Sequence, residues 1–146
     1  MALQGERSDP LPPRLILFDG VCGFCDRAVR WLIERDRCER LHFAPLQGEF
    51  AAALRRRHPE IPEDIDTLVY VEADMAGERV YLRSDAVFRV MAQITGPWRR
   101  LVWLRWIPRP LADAGYRLFA RHRYRLFGRF DACRAPHPGE RARFFV

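Results

Sequence analysis

Apolar positions along the chain fall into short continuous runs and into three- and four-residue periods, and together they predict a β-α-β-α-β-β-α order. Arg14-Leu15-Ile16-Leu17-Phe18-Asp19 is an apolar run closed by Gly20, the pattern of a buried strand. Phe24, Ala28 and Trp31, with Cys25, Val29 and Leu32, recur at steps of three and four, while Asp26, Arg27, Arg30 and Glu34 take the opposite face. Residues 23–37 therefore predict an amphipathic helix. Leu41 to Leu46 predicts a second strand and Glu49 to Arg57 a second helix, and a right-handed crossover lays the first two strands parallel. Thr67-Leu68-Val69-Tyr70-Val71 and Arg79-Val80-Tyr81-Leu82-Arg83, joined across the turn-rich Ala73 to Gly77, predict an antiparallel hairpin. Ser84 stands where an N-cap belongs, before a helix with Ala86, Val87, Val90, Met91 and Ile94 on one face and a stop at Gly96-Pro97. From Pro97 to about Phe127, two further helical stretches are expected, hinged at Pro108-Arg109-Pro110.

A length of 146 residues, 49% of them apolar, suits one domain with a real core. The expected organisation is a flexible arm over residues 1–13 and a single α/β domain over 14–146, with 97–146 as a helical C-terminal extension. The arm carries Glu6, Arg7 and Asp9 and lacks the apolar stretch of a signal peptide. Arg100, Arg105 and Arg109 interrupt the most hydrophobic region, so no window reaches the roughly 18 apolar residues of a membrane span. A soluble, cytoplasmic protein is expected. In a reducing compartment, paired cysteines point to catalysis or metal binding rather than to a disulfide scaffold. All 25 basic residues are arginine, which excludes Schiff-base chemistry and the lysine-dependent phosphate loop. The formal charge of +6 permits contact with acidic surfaces, but arginine spread along the whole chain reads as a solvated exterior, and no nucleic-acid partner is expected.

The chemistry concentrates at Cys22-Gly23-Phe24-Cys25, at the start of the first predicted helix. Cysteines separated by two residues lie about one helical turn apart, close enough to pair. Free N–H groups and the positive end of the helix dipole favour a thiolate there, drawing a cysteine pKa from about 8.5 toward roughly 7. Cys22 is the expected nucleophile. Cys25, one turn further in and on the Val29 and Leu32 face, is expected to be the more buried, resolving thiol. A zinc reading of Cys22, Cys25, Cys38 and His42 fails on reach: along one helix Cys25 and Cys38 lie about 20 Å apart, against metal bonds near 2.3 Å. Cys133 and His137 supply a second C-x₃-H, so a zinc-stabilised binding module built on Cys22, Cys25, Cys133 and His137 is an alternative. Another is an adaptor docking on membranes or nucleic acid through Trp98 to Phe130, where nine arginines face one acid, Asp113. The plainer expectation there is a helical cap with aromatics packed inward and arginines solvated, which leaves weak peripheral membrane contact.

Asp19-Gly20-Val21-Cys22-Gly23-Phe24-Cys25 resembles the D-x-x-C-x-x-C signature of the thiol-disulfide oxidoreductase DCC family. Phe43-Ala44-Pro45-Leu46-Gln47, Tyr81 to Ala86, Trp106 to Pro110 and Arg123 to Gly128, continuing to Cys133, are similar to family segments too, so the resemblance spans about residues 14–145. It implies a thioredoxin-like fold and dithiol-disulfide exchange without a bound cofactor. Cys22 and Cys25 are then the redox pair, Asp19 the signature acid, and protein or small-molecule thiols and disulfides the partners. Where thioredoxins place a cis-proline before the strand facing the cysteines, this chain has Asp66-Thr67, which with Gly23 and Phe24 make the candidate substrate contacts. Asp19 either relays a proton for Cys25 or fixes the loop by accepting backbone N–H bonds. Gly20 and Gly23 are expected to allow a tight turn and leave the sulfur approachable. Cys38 reads as a passive small residue and Cys133 as a buried structural one.

Overall fold

A computed structural model describes residues 11–37, 39–63, 68–94, 97, 100, 103, 106–128 and 143–144. The elements run β1 (Arg14–Phe18), α1 (Gly23–Arg35), β2 (His42–Pro45), α2 (Glu49–Arg57), β3 (Val69–Asp74), β4 (Gly77–Leu82), α3 (Arg83–Met91) and α4 (Arg109–Phe127). The four strands form one sheet in the order β2-β1-β3-β4. β1 pairs parallel with β2 and antiparallel with β3, and β3 pairs antiparallel with β4. This is the expected thioredoxin-like α/β arrangement.

Strand alternation divides the core in two. Leu15, Leu17, Val69 and Val71 face Ala51 and Leu54 of α2, while Ile16, Phe43 and Tyr70 face Val29 and Leu32 of α1 and Ala86 and Val90 of α3. Because helices cover both faces of β1, its sequence reads as one apolar run instead of an alternating one. Arg143 and Phe144 lie at the sheet edge. Phe144 bridges to Phe43 in parallel, and the buried Arg143 donates to Leu41 O at 3.0 Å and to the Asp36 carboxylate.

Three local expectations are corrected. The hairpin turns at Met75-Ala76, with Asp74 opposite Gly77, because the Asp74–Arg79 ion pair (2.7 Å) and Gly77 at φ +131° carry the ladder further than its apolar residues do. Ser84 does not cap α3. Leu82 takes the cap position without a side-chain bond, Arg83 makes the strand-to-helix corner at φ +54°, and the Ser84 hydroxyl donates to Asp113 of α4 at 2.5 Å. α3 also ends at Met91, short of Gly96-Pro97, closed by Ala92 N–H on Phe88 O at 3.1 Å. Ile94 is still buried.

α4 lies across the front of α1 and α3. Pro108 occupies its cap position and Pro110 its first turn, where a missing N–H costs nothing. The Tyr116 hydroxyl accepts Leu68 N–H at 2.7 Å, and Phe119 packs edge-on to Phe24 with ring centroids 4.7 Å apart. Thus Tyr116, Phe119 and Tyr124 do pack inward, but Trp103 and Trp106 are 76% and 87% exposed, against the expectation for the aromatics of this segment. No described helix is long and apolar enough to cross a membrane.

Candidate active site

β1 ends at Phe18, and the four residues before α1 carry the acid and the first thiol. Cys22 adopts extended geometry as the N-cap of α1, at φ −83° and ψ 123°, and its Sγ accepts the Cys25 backbone N–H at 3.4 Å. A sulfur thus takes the role a serine or aspartate oxygen fills at ordinary helix starts. Both cysteines are free thiols.

Asp19, 1% exposed, organises the loop. Its Oδ1 accepts the Val21 N–H at 3.1 Å and the Gln47 amide at 2.6 Å, while its Oδ2 accepts Arg123 at 2.9 Å and the Tyr124 hydroxyl. Gln47 in turn accepts the Gly20 N–H at 3.0 Å. Loop fixing, one of the two roles expected of Asp19, is therefore visible in its bonds. The Arg123 side chain is 5% exposed. Its other terminal nitrogen donates to Cys25 Sγ at 3.6 Å. One guanidinium thus joins the signature carboxylate to the second thiol.

These contacts divide the acidity of the pair. A hydrogen bond from the Cys25 thiol, opposed by burial and aided by the Cys25 N–H and the charge of Arg123, lowers the Cys22 pKa from 9.0 to about 6. Donating that bond to Cys22, together with burial and the adjacent negative charge, pushes Cys25 strongly upward. Burial pulls the Arg123 pKa down, but the neighbouring Cys25, Asp19 and Cys22 outweigh it and raise it. Burial and its bond to Asp19 also raise Tyr124, which remains a protonated donor. Both shifts favour the negative charge on Cys22 over Cys25.

Exposure runs opposite to the expectation. Cys22 has no exposed surface, whereas Cys25 is partly exposed. Next to Cys22, the end of α4 abuts the start of α1. Gly23 N–H donates to Gly128 O at 3.2 Å, and a Cβ at Gly23 would lie 2.4 Å from Phe127 O. Gly23 does permit a close approach, but the end of α4 occupies the space expected to be open. Phe24 packs into an aromatic cluster with Phe119 and Phe127.

Asp19, Cys22, Gly23, Phe24 and Cys25 thus lie together, while Asp66, Thr67, Cys38, Cys133 and His137 fall outside the described residues. Among the described residues, no three metal-ligating side chains cluster. Arg123, Tyr124 and Gln47 were not singled out as site residues. They lie inside the segments Arg123 to Gly128 and Phe43 to Gln47 that carry the family resemblance, and that was the only signal of them.

A family model described as DCC1-like thiol-disulfide oxidoreductase matches residues 16–129, from the middle of β1 to just past the end of α4. The chain belongs to the DCC1-like thiol-disulfide oxidoreductase family. Every side chain of the Asp19-centred network lies within the matched stretch. The chain is similar to the uncharacterized protein YuxK of Bacillus subtilis (strain 168), at 34% identity over 94% of this chain and 97% of the relative. It is also similar to a chloroplastic DCC family protein of Arabidopsis thaliana, at 37% identity over 82% of this chain and 67% of the relative. No solved structure matches it.

Proposed function

We propose that the protein exchanges thiols and disulfides through Cys22 and Cys25, with Cys22 as nucleophile, Cys25 as resolving thiol and dithiol proteins or small thiols as electron donors. The observation that carries this reading is the shared contact set at the helix start. Cys22 Sγ receives the Cys25 N–H at 3.4 Å, and Arg123 reaches Cys25 Sγ at 3.6 Å while paired with Asp19.

Because Cys22 has no exposed surface, a substrate disulfide reaches it only when the residues around it open. Its thiolate then attacks one substrate sulfur, forming a mixed disulfide and expelling the other substrate sulfur as a thiolate, which takes a proton from water. Cys25 then loses its proton and attacks Cys22 Sγ, releasing the second substrate thiol and closing the Cys22–Cys25 disulfide. Two electrons pass to the substrate, and an external dithiol restores the reduced pair by the reverse exchange. Two groups suit this sequence. With a pKa of about 6, Cys22 is roughly nine-tenths ionised at pH 7. Once Cys22 is tied up as a disulfide, the charge and hydrogen bond that hold Cys25 protonated are gone, and Arg123 remains to stabilise its thiolate.

The pH dependence of alkylation at each cysteine of the reduced protein, mapped by peptide mass spectrometry, tests the assignment. Cys22 is expected to react with a midpoint near pH 6 while Cys25 resists, and Cys25→Ser is expected to trap a mixed disulfide with a model substrate. Preferential reaction of Cys25 at low pH would reverse the two roles. Resistance of both thiols up to pH 9 would sink the exchange reading.

A further inference from the structure

The inner face of α4 serves the redox pair; its outer face serves nothing in the described fold. Leu111, Leu118 and Leu126 are all exposed there, and Leu111, Ala114, Leu118 and His122 follow one another at steps of three and four. Arg117, Arg121 and Arg125 run along the flank of this stripe, all exposed and again four residues apart. The single acid of the helix, Asp113, is turned inward onto Ser84. Immediately before the helix stand the exposed Trp103, Trp106 and Ile107.

We propose that this face docks on an anionic lipid surface, with α4 lying in the plane of the headgroups. An apolar stripe flanked by arginines is the pattern of an interfacial helix, in which leucines enter the acyl boundary and guanidinium groups bind lipid phosphates. Tryptophan favours the same boundary, where its ring is buried and its N–H stays wet. The helix is not apolar enough to cross, so it lies on the surface. Two other occupants fit less well. A second copy of the chain packed antiparallel on this face about a two-fold axis would bring two arginine rows together. Nucleic acid would engage the arginines but leave the leucine stripe in water. Because Arg123 reaches Cys25 from the opposite side of the same helix, docking holds the thiol pair within about one helix diameter of the headgroups, roughly 10–12 Å.

The test is co-sedimentation of the full reduced chain with vesicles of phosphatidylcholine alone or with about a third phosphatidylglycerol, at ~0.1 M salt, with tryptophan emission recorded. Expected are at least about tenfold stronger partition onto the anionic vesicles and a blue shift of the emission, both reduced at ~0.5 M salt. Leu111→Glu with Leu118→Glu is expected to lower partition by about tenfold or more. Far-UV circular dichroism and the alkylation profile of Cys22 should stay unchanged, so the result stands apart from the redox assignment. Arg117→Gln with Arg121→Gln and Arg125→Gln should lower partition too. The proposal is overturned if neither vesicle binds, if the leucine variants bind anionic vesicles as the parent does, or if a single-stranded oligonucleotide binds more tightly than lipid. A concentration-dependent dimer that the leucine variants abolish overturns it as well.

Discussion

At the scale of single residues, Arg123 holds a charge almost wholly withdrawn from water, with Asp19 on one side and Cys25 on the other. A buried ion pair of this kind is costly to halve, because the survivor is left charged without a partner. Arg123→Gln is therefore expected to lower unfolding free energy by about 3–5 kcal/mol, measured by urea titration. Lost stability alone would leave the chemistry of the pair intact, so a second readout separates the roles. In Arg123→Gln the midpoint of Cys22 alkylation should rise above about 6, since one of the charges that lowers it is gone. The mixed disulfide should also persist about tenfold longer or more before Cys25 resolves it, the scale expected from removing one donor to a developing anion. Arg123→Lys should recover part of both effects. An unchanged alkylation profile in Arg123→Gln would mean that Arg123 only holds Asp19. Asp19 and the two cysteines were legible in the motif itself. Arg123 was not, because its partner lies more than a hundred positions away and one arginine among so many carries no mark.

At the scale of elements, the site exists where the start of α1 meets the end of α4. Alanine at the first turn of a helix ordinarily gains up to about 1 kcal/mol over glycine. Here the added Cβ would sit 2.4 Å from the Phe127 carbonyl oxygen, a backbone atom that moves only if the end of α4 moves. Gly23→Ala is therefore expected to destabilise the protein by about 1–3 kcal/mol despite the better propensity. It should also make Cys22 more accessible to alkylation, because the end of α4 is displaced from the residue next to it. Stabilisation with unchanged reactivity would show that α4 does not close over Cys22. The helices and strands themselves were largely readable, α2 to both of its ends. Their boundaries slipped where side chains took long-range partners: Ser84 turned to Asp113 instead of its own helix, and Arg79 extended the hairpin by pairing with Asp74.

For the whole molecule, the shifted thiols couple pH to the stability of the reduced protein. Cys22 ionises near 9.0 when unperturbed and near 6 when folded. In the reduced protein its contribution is therefore full above pH 9 and is lost as pH falls through 6. Cys25, raised by folding, opposes stability above pH 9, where the unfolded chain releases a proton that the folded chain keeps. Denaturant midpoints of the reduced protein should thus climb between pH 6 and 9 and flatten or fall beyond, and Cys22→Ser should remove the climb. A Cys22→Ser profile matching the parent would place the pH dependence elsewhere.

By itself the sequence determined the element order, the burial of the first strand, the thiol pair at a helix start and the family, because each is written in neighbouring residues or in a local period. Only the tertiary structure decided which thiol is hidden, what neutralises Asp19, and that leucines stay exposed on the outer face of α4. The physical reason is the same in each case. Burial, ion pairing and pKa depend on what distant segments bring to within a few ångströms, and Gly23 against Phe127, like Arg123 against Asp19, is a contact that no local spacing encodes.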